Sequence, residues 1–475
     1  MTRFSLFALV LAVACSTESN LGNTPDAGSN GQGSSSADSY TPFTTTRWAL
    51  TLGGSGADVA TGVAIDAASG DVIAGGSFGG TVDFGDTSAT TVGTGGWVSR
   101  RAAADGHALW TFAVTTDGSS SASVAGVATT GSGDIVIAGP FYGTVAIGSD
   151  TFTSANLGDA DASFVAELDG SGVPRWATVL DANVDHVAAG ADGRVAVTAV
   201  FTGSLAFPNG TLASATLQPV LAAFAPDGSG LWGVAATDAD SYNALNGLAM
   251  TAEDDIVVSG VLEPTSQIAG IPIAASSADQ TTYVARLSIA GDLVWATPFG
   301  ATGFGYTSID TLAIAPDGST LAGEFLSDVP GDGQGVPGVA RFDATGAASW
   351  QFVGSAFSSS VSTIAATSDG HAVEMSPVGL SLDLGGGRIS GCVYQAQLDS
   401  SGVVTGELAF DNQASNTCEV APFGLAAGSG NSFAMAGEVA SSVDLGTGPL
   451  RWDGSTSGSN QNDNPDAVIA VFDPR

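Results

Sequence analysis

Histidine is the side chain best suited to proton transfer near neutral pH, and this sequence holds three of them, His107, His186 and His371. His107 and His371 fall in predicted hairpin turns at one end of their strands. His186 falls in a predicted connection at the opposite end. We therefore expect that the three imidazoles do not form one catalytic site.

Three arginines, Arg100, Arg286 and Arg341, could suggest the arginine cluster of a sialidase. They occupy nearly equivalent positions in three copies of one strand pattern, which spreads them around the molecule. We interpret them as solvent-facing strand residues, because exposed arginines of this kind are common. The sequence also offers no serine elbow, no metal-ligand pair and no phosphate-binding loop, so we predict that the protein is not an enzyme.

Carboxylates and amides mixed with aromatic rings, the residue types that hold sugars or polar peptide segments, occur in predicted connections between strands. We expect these loops to share one face, where binding residues are commonly found. Polar loops without a ligand are the alternative interpretation. The candidate binding residues are Asp181, Asp185, His186, Asp238, Asp240, Tyr242, Asn243, Tyr306, Trp452, Asn462 and Asp463.

Calcium is the metal ion for which the sequence offers oxygen ligands, because a hard cation prefers several of them. The candidate groups are Asp238 with Asp240, Asp159 with Asp161, and the Asn/Asp run near Asp463. None of these groups completes a known calcium-loop motif. We therefore predict no cofactor and no metal, with bound calcium as the alternative.

A repeated β-rich unit must position these residues, and its clearest mark is a tryptophan that recurs at intervals of 55 to 66 residues. Each copy holds four short strand patterns and no helical pattern, which is typical of a propeller blade. We predict an all-β, seven-bladed β-propeller of four-stranded antiparallel blades, with an open β-solenoid as the main alternative. The anchors are Trp48, Trp110, Trp176, Trp232, Trp295 and Trp350, with Leu408 marking a seventh copy.

The two ends of the repeat array complement each other. The last copy stops after its third strand, since only Pro474 and Arg475 follow. A fourth-strand pattern at residues 47–52 has no copy before it. We predict that this N-terminal strand completes the last blade and closes the ring, which removes exposed sheet edges. The predicted propeller domain spans residues 46–475.

Residues 1–14 resemble a lipoprotein signal peptide, with Arg3 before a short apolar stretch and Cys15 directly after it. The apolar stretch is too short to span a bilayer, which needs about 20 residues. Residues 15–45, a lipidated Cys15 and a Ser/Gly/Asn-rich segment, are predicted to form a flexible tether. Ser16 favours the outer membrane or the surface of a Gram-negative bacterium, and a soluble secreted protein is the alternative.

The net charge is −36, from 47 acidic residues and 11 basic residues that are all arginine. Such a charge makes nucleic acid and anionic membrane patches poor partners, and we predict no nucleic-acid partner. Scattered acids also keep a surface rich in Ala, Gly and Val soluble, and we predict a monomer. Cys392 and Cys418 fall at the same end of neighbouring predicted strands, which predicts a disulfide in an exported protein.

Several segments of the repeat match a family pattern. They include Leu52-Gly-Gly-Ser-Gly-Ala-Asp58, Val82-Asp-Phe-Gly85 and the third-strand motif Phe164-Val-Ala-Glu-Leu-Asp169. On these segments the chain resembles the bacterial β-propeller repeat of secreted and surface lipoproteins over residues 47–475. The resemblance implies the fold and export, and it implies no shared activity. A fainter likeness, to propellers that bind pyrroloquinoline quinone, depends on a structural Asp-x-x-Gly-x-x-x-Trp hairpin and implies no cofactor.

These observations predict a lipid-anchored β-propeller of the cell envelope that acts as a non-catalytic binding or scaffolding module. Its expected partner is an envelope protein or a glycan, because the predicted loops carry carboxylates, amides and aromatic rings. An extracytoplasmic polysaccharide-acting enzyme, with paired carboxylates across the axial channel, is one alternative. An outer-membrane assembly factor is the other.

Overall fold

The computed structural model describes residues 44–475 with internal gaps. Within that part the chain is almost entirely β-strand, and the all-β prediction is confirmed. A single-turn 3-10 helix occupies Ser429–Asn431, and the described part contains no helix long and apolar enough to cross a membrane. The residues left out are 55, 117, 119, 155–161, 236–243, 263–266, 269–270, 273–280, 301–305, 328–334, 355–360, 362, 371, 378–392, 411–419, 441–442 and 451–464.

The strands form successive four-stranded antiparallel units in which first, second, third and fourth strands pair in that order. The N-terminal strand is β1 (Thr44–Leu52). Unit one contains β2 (Val59–Ile65), β3 (Val72–Asp83), β4 (Ser88–Arg101) and β5 (Ala108–Thr116).

Unit two adds short strands to the same plan. Hydrogen bonds through these extra strands join units one and two into one eleven-stranded sheet. The extra strands are β6 (Ser121–Ala122), β9 (Thr144–Ile147) and β10 (Asp150–Thr153). The four unit strands are β7 (Gly126–Thr129), β8 (Ile135–Tyr142), β11 (Ala162–Leu168) and β12 (Pro174–Leu180).

Units three and four follow as separate sheets. Unit three contains β13 (Asn183–Ala189), β14 (Val195–Phe207), β15 (Gly210–Phe224) and β16 (Gly230–Ala235). Unit four contains β17 (Ala244–Met250), β18 (Ile256–Leu262), β21 (Thr281–Leu287) and β22 (Leu293–Phe299). A small hairpin of β19 (Gln267–Ile268) and β20 (Ile271–Pro272) lies between its second and third strands.

Units five and six have no extra strands among the described residues. Unit five contains β23 (Tyr306–Ile314), β24 (Thr320–Ser327), β25 (Val336–Phe342) and β26 (Ala348–Val353). Unit six contains β27 (Thr363–Ala366), β28 (Ala372–Pro377), β29 (Val393–Leu398) and β30 (Val404–Phe410).

Unit seven takes its strands from both ends of the described chain. It contains β31 (Val420–Ala427), β32 (Phe433–Val439) and β35 (Asp466–Pro474), with a small hairpin of β33 (Val443–Asp444) and β34 (Pro449–Leu450). β1 pairs with β35 as its fourth strand, from Thr44 opposite Pro474 to Leu52 opposite Ala467. The pairing predicted for residues 47–52 is therefore present, and it begins three residues earlier, at Thr44.

Successive units pack face to face, which explains the uninterrupted apolar runs of the second and third strands. In unit two, Ile137 and Ala166 pack against unit one, and the intervening Val136 and Val165 pack against unit three. Strands buried on both faces need apolar side chains at every position rather than at alternate ones. The first strand of each unit also contacts the first strand of the next, and β31 contacts β2. The units therefore form a nearly closed arrangement with the first strands innermost.

The repeated tryptophans link each unit to the next. Each indole N–H donates to a backbone carbonyl in the hairpin between the third and fourth strands of the following unit, at 2.8 to 3.1 Å. The ring lies over a glycine of that hairpin with positive φ, such as Gly228 (φ 80°) beneath Trp176, where a Cβ would collide with the indole. We call this contact a tryptophan clasp. The donor and acceptor pairs are Trp48 with Ala103, Trp110 with Gly170, Trp176 with Pro226, Trp232 with Ile289, Trp295 with Ala344 and Trp350 with Ser400.

Leu408 replaces tryptophan at the junction where a clasp has no acceptor. It lies in β30, the fourth strand of unit six, and the following unit is unit seven. The third and fourth strands of unit seven are β35 and β1, which come from opposite parts of the sequence and are not joined by a hairpin. The absent hairpin is the physical reason for the absent tryptophan.

The prediction that Arg100, Arg286 and Arg341 face solvent is wrong. Their side chains are only 12%, 12% and 7% exposed, because neighbouring units cover both faces of each third strand. Each forms an ion pair with an aspartate of the hairpin between the first and second strands of its own unit. The pairs include Arg100 Nε with Asp71 at 2.9 Å, Arg286 Nε with Asp255 at 2.8 Å and Arg341 Nη2 with Asp317 at 2.7 Å.

Candidate functional site at the innermost strands

The first strands share a β-bulge near their beginning, and the bulged residue differs from unit to unit. The pairing register between first and second strands shifts by one residue in units one, three, four, five and seven. The pairing register skips the bulged residue, so its side chain departs from the regular alternation of the strand. The bulged residues are Thr61, Asp185, Asn246, Asp310 and Phe423.

Crowding between the first and second strands accompanies the bulge. In units one and four, a carbonyl of the first strand approaches Gly76 and Gly260 of the second strand so closely that a Cβ would collide with it. Glycine permits this approach because it has no side chain. Small residues of the second strands therefore lie close to the bulge of the first strands.

Bulged residues of consecutive units reach each other at the innermost strands. Asn246 of unit four donates from Nδ2 to Oδ1 of Asp310 in unit five at 3.3 Å, and Ser308 Oγ donates to Oδ2 of Asp310 at 3.1 Å. Asp310 is open to solvent, yet protein surrounds it closely enough that desolvation raises its pKa, against the lowering effect of these two hydrogen bonds.

The bulge positions of units three, four and five thus carry a carboxylate, an amide and a carboxylate in succession. Asp185 and Asn246 are partly exposed, and Asp310 is exposed. Phe423, the bulged residue of unit seven, is 37% exposed. An exposed aromatic ring and hydrogen-bonding side chains therefore occupy equivalent positions around the innermost strands.

Asp185 and His186 do not lie in a connection between units, so their predicted placement is wrong. Both belong to β13, the first strand of unit three, because the strand begins at Asn183. His186 Nδ1 lies 3.1 Å from Thr198 Oγ1 on β14, and desolvation lowers the pKa of the imidazole to about 4. The ring is therefore neutral at pH 7. His107 instead lies on an exposed hairpin with its Nδ1 2.6 Å from Asp105 Oδ1, so these two histidines do not share a site.

Two other predicted binding residues lie beside the innermost strands. Asp181 is exposed at the bend before β13. Tyr306 begins β23, where it is paired with Ser327. The remaining predicted binding residues, Asp238, Asp240, Tyr242, Asn243, Trp452, Asn462 and Asp463, lie outside the described residues.

Other predictions also fall outside the described part of the chain. They concern the signal peptide, the tether, Cys15, the Cys392–Cys418 disulfide, His371 and the Asp159–Asp161 pair. Within the described part, no group of three or more His, Cys, Asp or Glu residues is arranged to hold a metal ion. In the chain, Asn243 directly precedes β17 and thus lies three residues before the bulged Asn246.

Sequence reasoning missed Asn246, Asp310 and Phe423. An alignment of the first strands would have marked two of them, because the bulged residue precedes a glycine in Thr61-Gly62, Asn246-Gly247 and Phe423-Gly424. Asp310 precedes Thr311 instead, so the same signal is weaker in unit five.

No family model matches this sequence, and no curated protein sequence matches it. Among solved structures, BamB from Moraxella catarrhalis aligns with 90% of this chain and 99% of its own, at 13% identity and a TM-score of 0.42. Raptor from Chaetomium thermophilum aligns with 91% of this chain and 30% of its own, at 7% identity and a TM-score of 0.49. Quinohemoprotein alcohol dehydrogenase from Comamonas testosteroni aligns with 91% and 76%, at 10% identity and a TM-score of 0.37. Similarities this low assign neither a family nor an activity to the chain.

Proposed function

We propose that this chain is a closed, seven-bladed β-propeller of the cell envelope that acts as a non-catalytic binding module. The four-stranded units, the pairing of β1 with β35 and the contacts that link successive first strands support the blade count and the closure. Each unit would then be one blade, and the innermost strands would line the central channel. The proposed binding site is the mouth of that channel.

The hydrogen bond between Asn246 and Asp310 is the observation that carries this proposal. It brings polar side chains of two consecutive units together where both are accessible to solvent. Charged side chains nearer the hairpins, such as Arg100, Arg286 and Arg341, instead form ion pairs within the fold. Side chains that vary between units on a repeated scaffold are the natural place for specific recognition.

The chemistry of these positions favours a neutral or cationic ligand. Asp185 and Asp310 are hydrogen-bond acceptors, Asn246 both donates and accepts, and Phe423 offers a flat apolar face. Hydroxyl groups of a glycan or amide and ammonium groups of a protein segment suit such a set. The net charge of −36 works against anionic partners by long-range repulsion.

A second candidate function, hydrolysis of a polysaccharide, has one observation in its favour. Desolvation raises the pKa of Asp310, as a general acid requires, and Asp185 is a further carboxylate at a bulge position two units before it. Replacement of Asp310 by Asn would abolish hydrolysis, whereas a binding module retains part of its affinity because the amide still forms hydrogen bonds.

Export and lipidation form the remaining part of the proposal, supported by the signal-like pattern before Cys15. In the source cells, the wild-type chain should label with a fatty acid and fractionate with membranes. The Cys15→Ala variant should do neither. Equal membrane association of both chains would contradict the lipid anchor, but it would not bear on the proposed binding site.

Binding is tested on arrays of glycans and of envelope-derived peptides. The wild-type chain, the D310A/N246A double variant and the D150A variant are applied at equal concentration. Asp150 is exposed on the small hairpin of unit two and serves as a matched change of an acid. We expect ligands that bind the wild-type chain and D150A equally and lose at least tenfold in affinity for D310A/N246A. Equal binding by all three chains would overturn the proposed site.

A further inference from the structure

The loop between β1 and β2 meets the beginning of β35, so segments that are distant in sequence come together there. Asp58 donates its backbone N–H to the carbonyl of Pro465 at 2.7 Å. Asp466, the first residue of β35, places its carboxylate where a Cβ at Gly53 would be, so a side chain at position 53 would have to displace that carboxylate. This contact lies beside the pairing of Leu52 with Ala467, where β1 closes unit seven.

The loop is built around the Asp58 carboxylate. Gly54 N–H donates to Oδ2 at 2.9 Å, and Gly79 N–H donates to Oδ1 at 3.1 Å. A Cβ at Gly54 or Gly56 would collide with the backbone of β3, which shows how tightly the loop packs against that strand. The Gly-Gly-x-Gly-x-Asp segment therefore has a definite structural role: its glycines let the loop bring Asp58 next to Asp466.

Two carboxyl groups are thus buried together at this seam, each only 1% exposed. Burial raises the pKa of Asp58 to about 7, the two backbone N–H groups oppose this rise, and the neighbouring Asp466 adds to it. Two carboxyl groups buried at one seam cannot both ionise without a penalty from desolvation and from their mutual repulsion, so a proton on Asp58 favours the closed seam.

Few other titratable groups face the seam among the described residues. Gly53 and Gly54 of the loop and Gly79 of β3 supply only backbone. β32 supplies Glu438, which is paired with Ala467, next to Asp466, and burial raises its pKa as well. Asp466 is the charged group that acts on Asp58. The neighbourhood therefore favours the protonated state.

We propose that Asp58 and Asp466 form a proton-dependent latch that holds the β1–β2 loop against β35 and so keeps β1 in place as the closing strand. A proton on the pair keeps the latch closed. When the pH rises and the proton passes to solvent, two buried negative charges repel each other and the seam opens. This inference is independent of any ligand at the channel mouth.

The direction of the pH effect follows from the raised pKa. Asp58 binds its proton more tightly in the closed seam than in the open one, so closure is favoured fully at pH values below about 4, the ordinary range of an aspartate. That advantage is lost as the pH rises toward about 7 and changes little above it. Each unit of difference in pKa changes the opening equilibrium by about tenfold.

Hydrogen exchange of the full chain, read by mass spectrometry and corrected for the intrinsic pH dependence of exchange, tests the latch. Between pH 5 and pH 8, protection of the β1 and β35 amides should fall at least tenfold. Protection of the β14–β15 pair, which lies far from the seam in unit three, should stay constant. Constant protection of β1, or an equal fall in β14–β15, would overturn the proposal.

Variants separate the latch from a general effect of pH. D58N removes the carboxyl group whose pKa burial raises, so the fall in β1 protection between pH 5 and pH 8 should shrink severalfold. D466N removes only the repulsion from Asp466, so the fall should shrink to a smaller extent. D150N removes an exposed acid and should reproduce the wild-type fall. A wild-type fall in both D58N and D466N would contradict the latch. If neither variant folds, the comparison of β1 with β14–β15 in the wild-type chain still decides whether the seam opens as the pH rises.

Discussion

The hairpin end of the units and the bulge positions of the first strands differ in how their residues vary. At the hairpin end, six junctions carry the same indole-to-carbonyl contact. At the bulge, five units carry Thr61, Asp185, Asn246, Asp310 and Phe423. The first position thus keeps the same residue and the same contact at six junctions, whereas the second carries a different residue in most of the five units.

This difference distinguishes residues that build the array from residues available for recognition. A clasp needs a tryptophan, a glycine with positive φ and a carbonyl together, so a change in one member disturbs the others. The bulge has no repeated contact of this kind, and the side-chain contacts differ between units: Thr61 Oγ1 donates to the carbonyls of Gly75 and Val124, whereas Asp310 accepts from Asn246 and Ser308. The junction at Leu408 supports this interpretation, because tryptophan is missing where the receiving hairpin is missing.

Loss of β1 should have the largest effect of any change considered. Deletion of residues 44–52 removes the fourth strand of unit seven, exposes the edge of β35 and removes the clasp of Trp48. We expect aggregation on size-exclusion chromatography and no cooperative thermal transition. Deletion of residues 24–32, in the predicted tether, is the control and should change neither. Cooperative unfolding of the first variant would show that β1 is dispensable.

Removal of one clasp should lower the stability of the fold substantially, but less than the deletion of β1. Trp232 is 5% exposed, and Trp232→Ala should lower the free energy of unfolding by about 3 to 5 kcal/mol. Leu408→Trp should bring no gain, because no hairpin glycine or carbonyl receives the indole. Urea denaturation measures both variants. A stabilised Leu408→Trp variant would show that tryptophan is favoured for its size rather than for the clasp.

A buried acid in unit five should make stability depend on pH. Glu324 is fully buried, accepts a hydrogen bond from Gln351 at 2.7 Å and has its pKa raised by burial to about 8. Since the unfolded chain ionises this group near pH 4.5, the stabilisation is complete below that pH and is lost as the pH rises toward 8.

The expected slope is about 1.4 kcal/mol of unfolding free energy per pH unit between pH 5 and 7 from this group. Glu324→Gln should flatten the profile, because glutamine keeps an acceptor for Gln351 and does not ionise. Urea denaturation at several pH values measures the slope. A profile that is unchanged in the variant would show that Glu324 does not govern it.

The smallest effect on stability should follow from the bulge positions. Asp310→Ala combined with Asn246→Ala removes two hydrogen bonds, from Asn246 and from Ser308 to Asp310, so the loss should stay below about 2 kcal/mol. Thermal denaturation measures this loss, with the D150A variant as the control. A loss of stability comparable with that of Trp232→Ala would show that Asp310 and Asn246 stabilise the fold as the clasps do. The bulge positions would then not differ from the hairpin end.

The features predicted correctly from sequence are those that depend on local chemistry. The tryptophan spacing, the glycine turns and the two-sided apolar runs predict the strands and the pairing of residues 47–52 with the last unit. The burial of Arg100 and Arg341 could not be predicted in this way, because it depends on which face the next unit covers. The bulge was missed because one inserted residue hardly changes the apolar pattern of a short strand.

The partnership of Asp58 with Asp466 was missed for a related reason. Asp58 belongs to a recognisable glycine-rich segment, but its partner lies at the other end of the sequence, and no local pattern connects them. Contacts between distant segments become visible only when the closure of unit seven is known. The same holds for Asn246 and Asp310, which belong to different units.

Photocrosslinking in the source cells tests whether partners bind at the bulge positions. A photoreactive phenylalanine analogue replaces Phe423 in one chain and Leu217, a 50% exposed residue of unit three away from the innermost strands, in another. We expect a discrete adduct with the Phe423 chain and none with the Leu217 chain. An adduct only at Leu217, equal adducts at both positions, or none at Phe423 would contradict it.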